Sequence, residues 1–532
     1  MTAGLVSVII VHYLEGDVAH MNRIWCIMLA LLVCALLAVP ARAEEVQEAA
    51  DISGEVQVVS SQGIQKVESL FDGNQTKAVK LDESAAICLE HTGGIGSAYL
   101  IFDLEYGAFT VTDPDTGESR EFGENALVHE FADIEGAFGY APGKIEIAFE
   151  SGASFLNEVF LFAPGTPPDW VQRWQMPKDG ATDLVLFSTH GDDEQLFFAG
   201  LLPYYARERG YQCQVVFLTN HRNVNNVRVH EMLDGLWAVG VDTYPVLGNF
   251  PDQFSESKRD AYGYMAMEGI TDEVLMRFVV ENLRRFKPLV AVGHDLGGEY
   301  GHGQHMMYAD LLIRAIEITN DSEEFPESAR QYGTWDVPKT YLHLYTKNQI
   351  YMDWDQPLES FDGLTAFQVS KDLGFSKHVS QQLNFGWFIH KKETAASINY
   401  CSPSRYGLYR TTVGPDVQKE DMFENLTSYA QIQAEEEAIR LAEEEAQRQR
   451  EQARLEAEAE ARRLEEERQQ AEEAARAAAE AEQHKAQEEA ARLEQERSRK
   501  VLLWSLTGVL AVMILLGAGI VCLERKNKFK KF

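Results

Sequence analysis

The sequence predicts a multidomain chain: a β-sandwich followed by a doubly wound α/β (Rossmann-like) domain, then a long α-helical stalk and one transmembrane helix. Three observations carry this. Residues 51–165 hold short alternating or apolar runs broken by turn signals, and residues 180–415 hold non-alternating apolar runs interleaved with helical patterns. From Ala434 onward the chain is almost only Ala, Glu, Arg and Gln, ahead of an uncharged stretch at 501–523. At roughly 150 residues per domain, a chain of 532 residues accommodates three or so such bodies.

Residues 1–43 read as a secretory signal peptide, with Arg23 ahead of an apolar stretch at 24–39 and a small-residue cleavage site in Pro-Ala-Arg-Ala at 40–43. Within 51–165 the runs at 98–104, 144–149 and 157–162 are strand-like, and Asp72-Gly73-Asn74, Gly93-Gly94 and Asp113-Pro114-Asp115 mark turns. Many short strands at this spacing point to a β-sandwich. The stretch 165–180 reads as a linker, because Pro167 and Pro168 cannot continue a strand or helix. Beyond it, strands are expected at 184–187, 214–218 and 289–292, and helices at 194–208, 226–239, 272–286 and 304–316. Strands without alternation, interleaved with helices, imply a parallel sheet covered on both faces.

In the segment 430–500, Glu436/Arg440, Glu444/Arg448, Glu458/Arg462, Glu472/Arg476 and Glu488/Arg492 stand four apart in the favourable order. Ile432, Ile439, Leu441, Leu455, Leu464 and Leu493 keep no sustained heptad, so a solvated single helix is expected. Such a stalk would reach on the order of 100 Å. The run at 501–523 has 23 residues without a charge, enough to cross a bilayer. The basic tail at 524–532 places that end in the cytoplasm. With an exported N-terminus, the expected placement is a single-pass plasma-membrane protein with its large domain extracellular.

Lys and Arg total 48 against 83 Asp and Glu, a formal charge of −35 that suits no phosphate backbone and excludes nucleic acid as a partner. An apolar content of 45% excludes wholesale disorder. Outside the two apolar runs only Cys88, Cys213 and Cys401 remain, an odd number that makes no disulfide framework and no cysteine metal site but allows one bridge with one thiol left over.

The chemistry gathers at two places. Ser-Thr-His-Gly-Asp-Asp-Glu at 188–194 follows the strand at 184–187, and ligands in open α/β sheets collect outside the carboxyl ends of the strands. His190 and Asp193, three apart on a tight turn, can converge on one metal ion, which leaves Asp192 free as a base. The second place is Tyr-Gly-His-Gly-Gln-His at 300–305, after the strand at 289–292. There His302 and His305 can face one side of a first helical turn. Both motifs fall on the same rim of one sheet. Two histidines and a carboxylate leave coordination positions open, as catalytic zinc requires, and non-haem iron uses the same ligand types. The chemistry this implies is metal-assisted hydrolysis of an amide or similar acyl bond, with Asp192 moving the proton. In the bland alternative the histidines bond to backbone carbonyls and the acids cap a helix.

These residues resemble a known family. Thr-His-Gly-Asp-Asp-Glu at 189–194 is similar to the A-H-P-D-D-E signature of the LmbE-like de-N-acetylases, which include N-acetylglucosaminyl-phosphatidylinositol de-N-acetylase (PIG-L). His302-Gly-Gln-His305 is similar to their H-P-D-H signature, Arg228-x-x-Glu231 with Gly240 to their R-x-x-E helix, and Phe250-Pro-Asp252 to their P-D turn. The resemblance implies Zn2+ held by His190, Asp193 and His305, with Asp192 as general base. It also implies that His302 and Tyr300 steady a tetrahedral intermediate and that Arg228 and Asp252 contact the sugar. Gly191 departs from the usual Pro and Gln304 from the usual Asp, and neither removes a ligand. Within residues 51–165, Phe71-Asp-Gly-Asn74, the 101–104 strand and the closing 158–162 strand resemble discoidin-like modules.

The reading that results is a membrane-tethered, outward-facing zinc deacetylase acting on an N-acetylated amino-sugar glycan or glycolipid. The competing readings are a non-catalytic adhesin whose sandwich binds glycans, and a metal amidase of another substrate. A complete metal triad distinguishes the first from the adhesin.

Overall fold

The computed structural model of the chain describes residues 48–149, 154–220, 226–386, 388–492 and Met513. Among these, the N-terminal part is one eight-stranded antiparallel sheet: β1 (Gln57–Ile64), β2 (Val79–Glu90), β3 (Ser97–Phe102), β4 (Phe109–Thr112), β5 (Ser119–Phe122), β6 (His129–Asp133), β7 (Lys144–Phe149) and β8 (Ser154–Phe162). The strand order is β5-β4-β7-β2-β8-β3-β6, with β1 added on β2. The twelve-residue β2 joins two halves, pairing through Ala85–Glu90 with β7 and through Val79–Leu81 with β8. Inward residues of both halves, Ile87 and Ile147 from one and Leu100 and Val159 from the other, share a single core.

The second sheet contains β9 (Leu184–Ser188), β10 (Cys213–Thr219), β11 (Val246–Phe250), β12 (Val290–Gly293), β13 (Lys339–His343), β14 (Gln349–Tyr351) and β15 (Arg405–Thr411) in the order β11-β10-β9-β12-β13-β15-β14. The first five run parallel, and β15 is antiparallel to its neighbours β13 and β14. Alternate residues of β9 separate onto the two faces: Leu184 and Leu186 enter one core, Val185 and Phe187 the other. Both faces are therefore covered, which is why these strands show no polar alternation. The order reverses direction between β9 and β12, the switch point where ligands bind in such sheets.

The helices around this sheet include α1 (Asp193–Leu196), α2 (Val227–Ala238), α3 (Lys258–Met267), α4 (Asp272–Phe286) and α5 (Gly303–Ala315). Helix α4 has the bounds expected from the sequence because every local signal agrees: the Thr271 side chain caps it, acids lie in its first turn, and Arg284 and Arg285 in its last. The helix expected at 194–208 is broken. After α1 comes a π-helical turn at Pro203–Glu208, with Arg209 N–H donating to the Tyr204 carbonyl five residues back. Pro203 has no N–H to continue the α ladder. Gly200, at φ 93°, admits the Trp354 ring where a Cβ would lie 2.5 Å from its Cγ.

The two sheets are fastened together. Asn226 Nδ2 donates to Asp103 Oδ2 at 2.7 Å, and the His129 and His230 rings meet at 2.8 Å. The chain beyond Pro415 continues to pack on the second sheet, where buried Lys339 meets Asp416 and the Tyr205 hydroxyl donates to Asp421.

A further helix, α6 (Tyr429–Arg492), has Ile439, Leu455 and Leu464 exposed along it, with Arg440 paired to Glu437 and Glu444 and Arg468 to Glu465 and Glu472. The single-pass plasma-membrane placement does not stand. Among the described residues no helix is long and apolar enough to cross a membrane, and the longest one, α6, is built of Glu, Arg, Gln and Ala. The signal segment at 1–43 and the apolar run at 501–523, on which that placement rested, lie outside the described residues apart from Met513. The described cysteines Cys88, Cys213 and Cys401 are free and buried.

Candidate active site

Strand β9 ends at Ser188, and the chain turns so that His190 and Asp193 face each other. The His190 main-chain N–H donates to Asp193 Oδ2 at 2.9 Å, and His190 Nδ1 lies 3.1 Å from the same oxygen. Helix α5 begins just after β12 and brings His305 Nε2 to 3.1 Å from His190 Nδ1 and 3.2 Å from Asp193 Oδ2. The three ligand atoms thus form a nearly equilateral triangle of buried side chains. A tetrahedral zinc ion with nitrogen and oxygen ligands at ~2.0–2.1 Å holds them ~3.3–3.4 Å apart, so the donor set fits such an ion.

Two further histidines approach this cluster: the sets His190–His302–His305 and Asp193–His294–His305 each bring ligand atoms within 4.8 Å of one another. Hydrogen bonds separate their roles. His294 Nε2 accepts from Thr189 N–H at 2.9 Å and Nδ1 faces Glu299 Oε2 at 2.8 Å, so neither nitrogen is left for a metal. His302 caps α5, its Nδ1 accepting from Gln304 N–H at 3.2 Å, which puts the proton of the neutral ring on Nε2. Burial, with the His190 and His305 charges adding to it, lowers His302 to about 2, so the ring is neutral.

The remaining ring nitrogens are oriented with similar economy. His190 Nε2 faces Gln304 Oε1 at 3.2 Å and Asp252 Oδ1 at 3.4 Å, both acceptors, so Nε2 carries the proton and Nδ1 presents its lone pair. Gln304, which departs from the family's Asp, therefore orients His190, and its Nε2 donates to the Pro251 carbonyl to anchor the turn bearing Asp252. His305 Nδ1 lies 2.8 Å from Glu299 Oε2, the carboxylate–histidine arrangement that fixes a metal-ligating ring. His343, on β13, faces Glu299 Oε1 at 2.6 Å with Nδ1 and the Ser402 carbonyl at 2.9 Å with Nε2. Burial works to raise the Glu299 carboxyl, and the surrounding histidines, His294 first, hold it well below the usual range.

Electrostatics favour a cation at the triangle. Burial opposes charge on His190, yet Asp252 and Asp193 hold it well above its ordinary value. His305 is likewise raised to about 9 by Asp193 and Glu299 against burial. Asp192 is 2% exposed, and burial pushes its carboxyl up to about 6 against the Arg228 guanidinium. Its buried Oδ2 lies 3.1 Å from Arg228 Nη2, and among the described residues no donor is aligned on it as a hydrogen bond. Arg228, at the start of α2, also reaches Asp252 Oδ2 at 3.2 Å. Tyr300 stands at φ 45°, with its ring 5.6 Å from that of His302 and 5.7 Å from that of His305.

All eight residues singled out from the sequence, His190, Asp192, Asp193, Arg228, Asp252, Tyr300, His302 and His305, come to one cluster at the β9/β12 switch point. Sequence reasoning missed Glu299, His294 and His343. The first two lie in the β12–α5 connection, ahead of the recognised motif, where a His and a Glu five apart were a usable signal. His343 has no local motif.

Among known proteins, the chain is similar to the 1D-myo-inositol 2-acetamido-2-deoxy-alpha-D-glucopyranoside deacetylase 1 of Frankia casuarinae, 25% identical over 186 residues that cover 30% of this chain and 58% of the relative. It is similar to the protein of the same name from Catenulispora acidiphila, 23% identical over 218 residues, 37% of this chain and 66% of the relative. The chain thus spans about three-fifths of the length of these relatives. Among solved structures, N,N'-diacetylchitobiose deacetylase from Pyrococcus horikoshii aligns at 13% identity and a TM-score of 0.26, over 41% of this chain and 81% of that one. The family model PIG-L, GlcNAc-PI de-N-acetylase, matches residues 185–316, the stretch that contains all of β9 but Leu184, the whole of β12 and all eight converging residues. Residues 185–316 of this chain therefore belong to the PIG-L family.

Proposed function

We propose that the chain is a zinc-dependent amide hydrolase that removes the acetyl group from an N-acetylglucosamine-type sugar. The observation that carries this reading is the triangle of His190 Nδ1, Asp193 Oδ2 and His305 Nε2, with edges of 3.1, 3.1 and 3.2 Å, beside the buried carboxylate of Asp192. The family match over 185–316 and the names of the two relatives support the substrate class.

His190, Asp193 and His305 would hold Zn2+, which when bound lowers the pKa of a water to about 7 and polarises a carbonyl oxygen. Asp192 accepts a proton from the attacking water and returns it to the amine as the carbon–nitrogen bond breaks, so that amide and water become acetate and free amine. The neutral His302 ring, with its proton on Nε2, donates to the oxygen that gains charge as the acetyl carbon becomes tetrahedral. Tyr300 adds its hydroxyl on the same side. Arg228, held between Asp192 and Asp252, keeps the base in place, and the partly exposed Asp252 accepts from a sugar hydroxyl.

The test combines metal analysis with acetate release from N-acetylglucosaminyl-inositol and N-acetylated chito-oligosaccharides. One zinc per chain is expected, and His190→Ala loses both metal and activity. Asp192→Asn keeps the zinc and slows acetate release by roughly 10²–10⁴-fold. Folded protein without stoichiometric divalent metal, or without acetate release from any of these substrates, would overturn the reading.

A further inference from the structure

A second cleft lies where the two sheets meet, away from the triangle of His190, Asp193 and His305. Between the linker after β8, the C-terminal end of α2 and the π-helical turn is an open cleft of about 990 Å³, at the upper end of the size of small-molecule pockets. Neither sheet forms it alone: Tyr99 comes from β3, Trp170 and Arg173 from the linker, Asp234 and Trp237 from α2, and Arg207 from the π-helical turn. It is preformed, because Trp237 Nε1 donates to the Asp169 carbonyl at 2.7 Å and Gln172 Nε2 donates to Asp234 Oδ1.

Three features of this cleft point to a ligand. Trp170 is 44% exposed, yet Tyr99, Phe160 and Phe162 hold its ring at centroid distances of 6.0, 5.0 and 5.7 Å. A large aromatic ring fixed in place and left open to solvent offers a flat apolar surface to whatever enters. Next, the buried Tyr99 hydroxyl sits at the end of a directed chain. Asn157 Nδ2 donates to the Gln75 carbonyl, which fixes its amide, and approaches His230 Nε2 at 3.3 Å. His230 then donates from Nδ1 to His129 Nε2 at 2.8 Å, and His129 donates from Nδ1 to the Tyr99 hydroxyl at 2.6 Å. With His129 donating to that oxygen, its own proton is left to seek a further acceptor, and among the described residues no hydrogen bond supplies one. Lastly, Arg173 and Arg207 line the cleft with no carboxylate partner among the described residues.

We propose that this cleft is a saccharide-binding site, taking a neutral oligosaccharide. A sugar ring presents a C–H face to the Trp170 plane, and its hydroxyl and ring oxygens accept from Tyr99, Arg173 and Arg207 while its hydroxyl protons go to Asp234. Carboxylates and cations are mixed along the walls, which suits an uncharged polyol better than an acid. The site is independent of the hydrolytic reading, since it requires binding and no reaction.

The experiment is calorimetric titration of the full-length protein with cellohexaose, chitohexaose and hexagalacturonic acid, with tryptophan fluorescence as a second readout. A neutral hexasaccharide is expected to bind, and Trp170→Ala to weaken it by roughly tenfold or more. His190→Ala, in the metal triangle, is expected to retain this binding, so loss of hydrolysis and loss of the cleft are told apart. Arg173→Ala and Arg207→Ala, at exposed positions, serve if Trp170→Ala fails to fold, and each should also weaken binding. No binding by any of the three sugars, binding of the acid alone, or neutral-sugar affinity unchanged in all the cleft variants would overturn the proposal.

Discussion

Glu299 shows what a single buried carboxylate does for the cluster. It receives His294 and His305 on one oxygen and His343 with the Asp295 N–H on the other. Removing its charge while keeping its shape leaves His305 without the partner that fixes its tautomer. Glu299→Gln is therefore expected to weaken zinc binding by about 10–100-fold, read by chelator competition on folded protein. Unchanged metal affinity would mean that the ring is held by packing alone. The contrast with the legible residues is physical. His190, Asp192 and Asp193 were readable because one tight turn sets their spacing, and His302 and His305 because one helical turn does. His294 and His343 end neighbouring parallel strands, and their meeting at Glu299 depends on strand order, which no local pattern encodes.

At the scale of elements, α4 and the broken helix after β9 mark the range of legibility. In α4 capping, charge placement and apolar period all agree. In 194–208 the local pattern is helical apart from Pro203, but Gly200 makes room for Trp354, a residue distant in sequence. The contact between β6 and α2 carries a prediction about acid. Burial lowers His230 to about 4 and holds His129 well below its ordinary value, and both rings are neutral members of one directed chain. Unfolded histidines bind protons near pH 6.5, so between there and the folded value the unfolded state carries more protons. Stability is fully present above about pH 6.5 and falls with acid, by about 1.4 kcal/mol per pH unit for each histidine. His230→Gln should lower stability at pH 7 yet flatten that slope, measured by denaturant midpoints from pH 7 to 4.5. Parallel slopes for variant and wild type would assign the acid sensitivity elsewhere.

For the whole molecule, the described chain divides into a unit ending at Ala434 and a second beginning at Glu435. The apolar side chains of α6 beyond that point, Ile439, Leu441, Leu455 and Leu464, are exposed. A chain ending at Ala434 is thus expected to unfold within about 0.5 kcal/mol of the full chain, because exposed side chains paired only along their own helix contribute little. A larger loss in a denaturant titration would reveal packing along α6. The sequence by itself determined the class of each body, the parallel sheet from its unalternating strands and the antiparallel one from its short runs. It also determined the turns that carry His190, Asp193, His302 and His305, because those depend on neighbours three or four residues apart. Only the tertiary structure decided how Glu299 gathers three histidines, where Gln304 turns, and that a cleft opens between the two sheets. Those depend on which distant strands lie side by side, and that choice is made by burying apolar faces against one another, a sum over the whole chain that no short stretch contains.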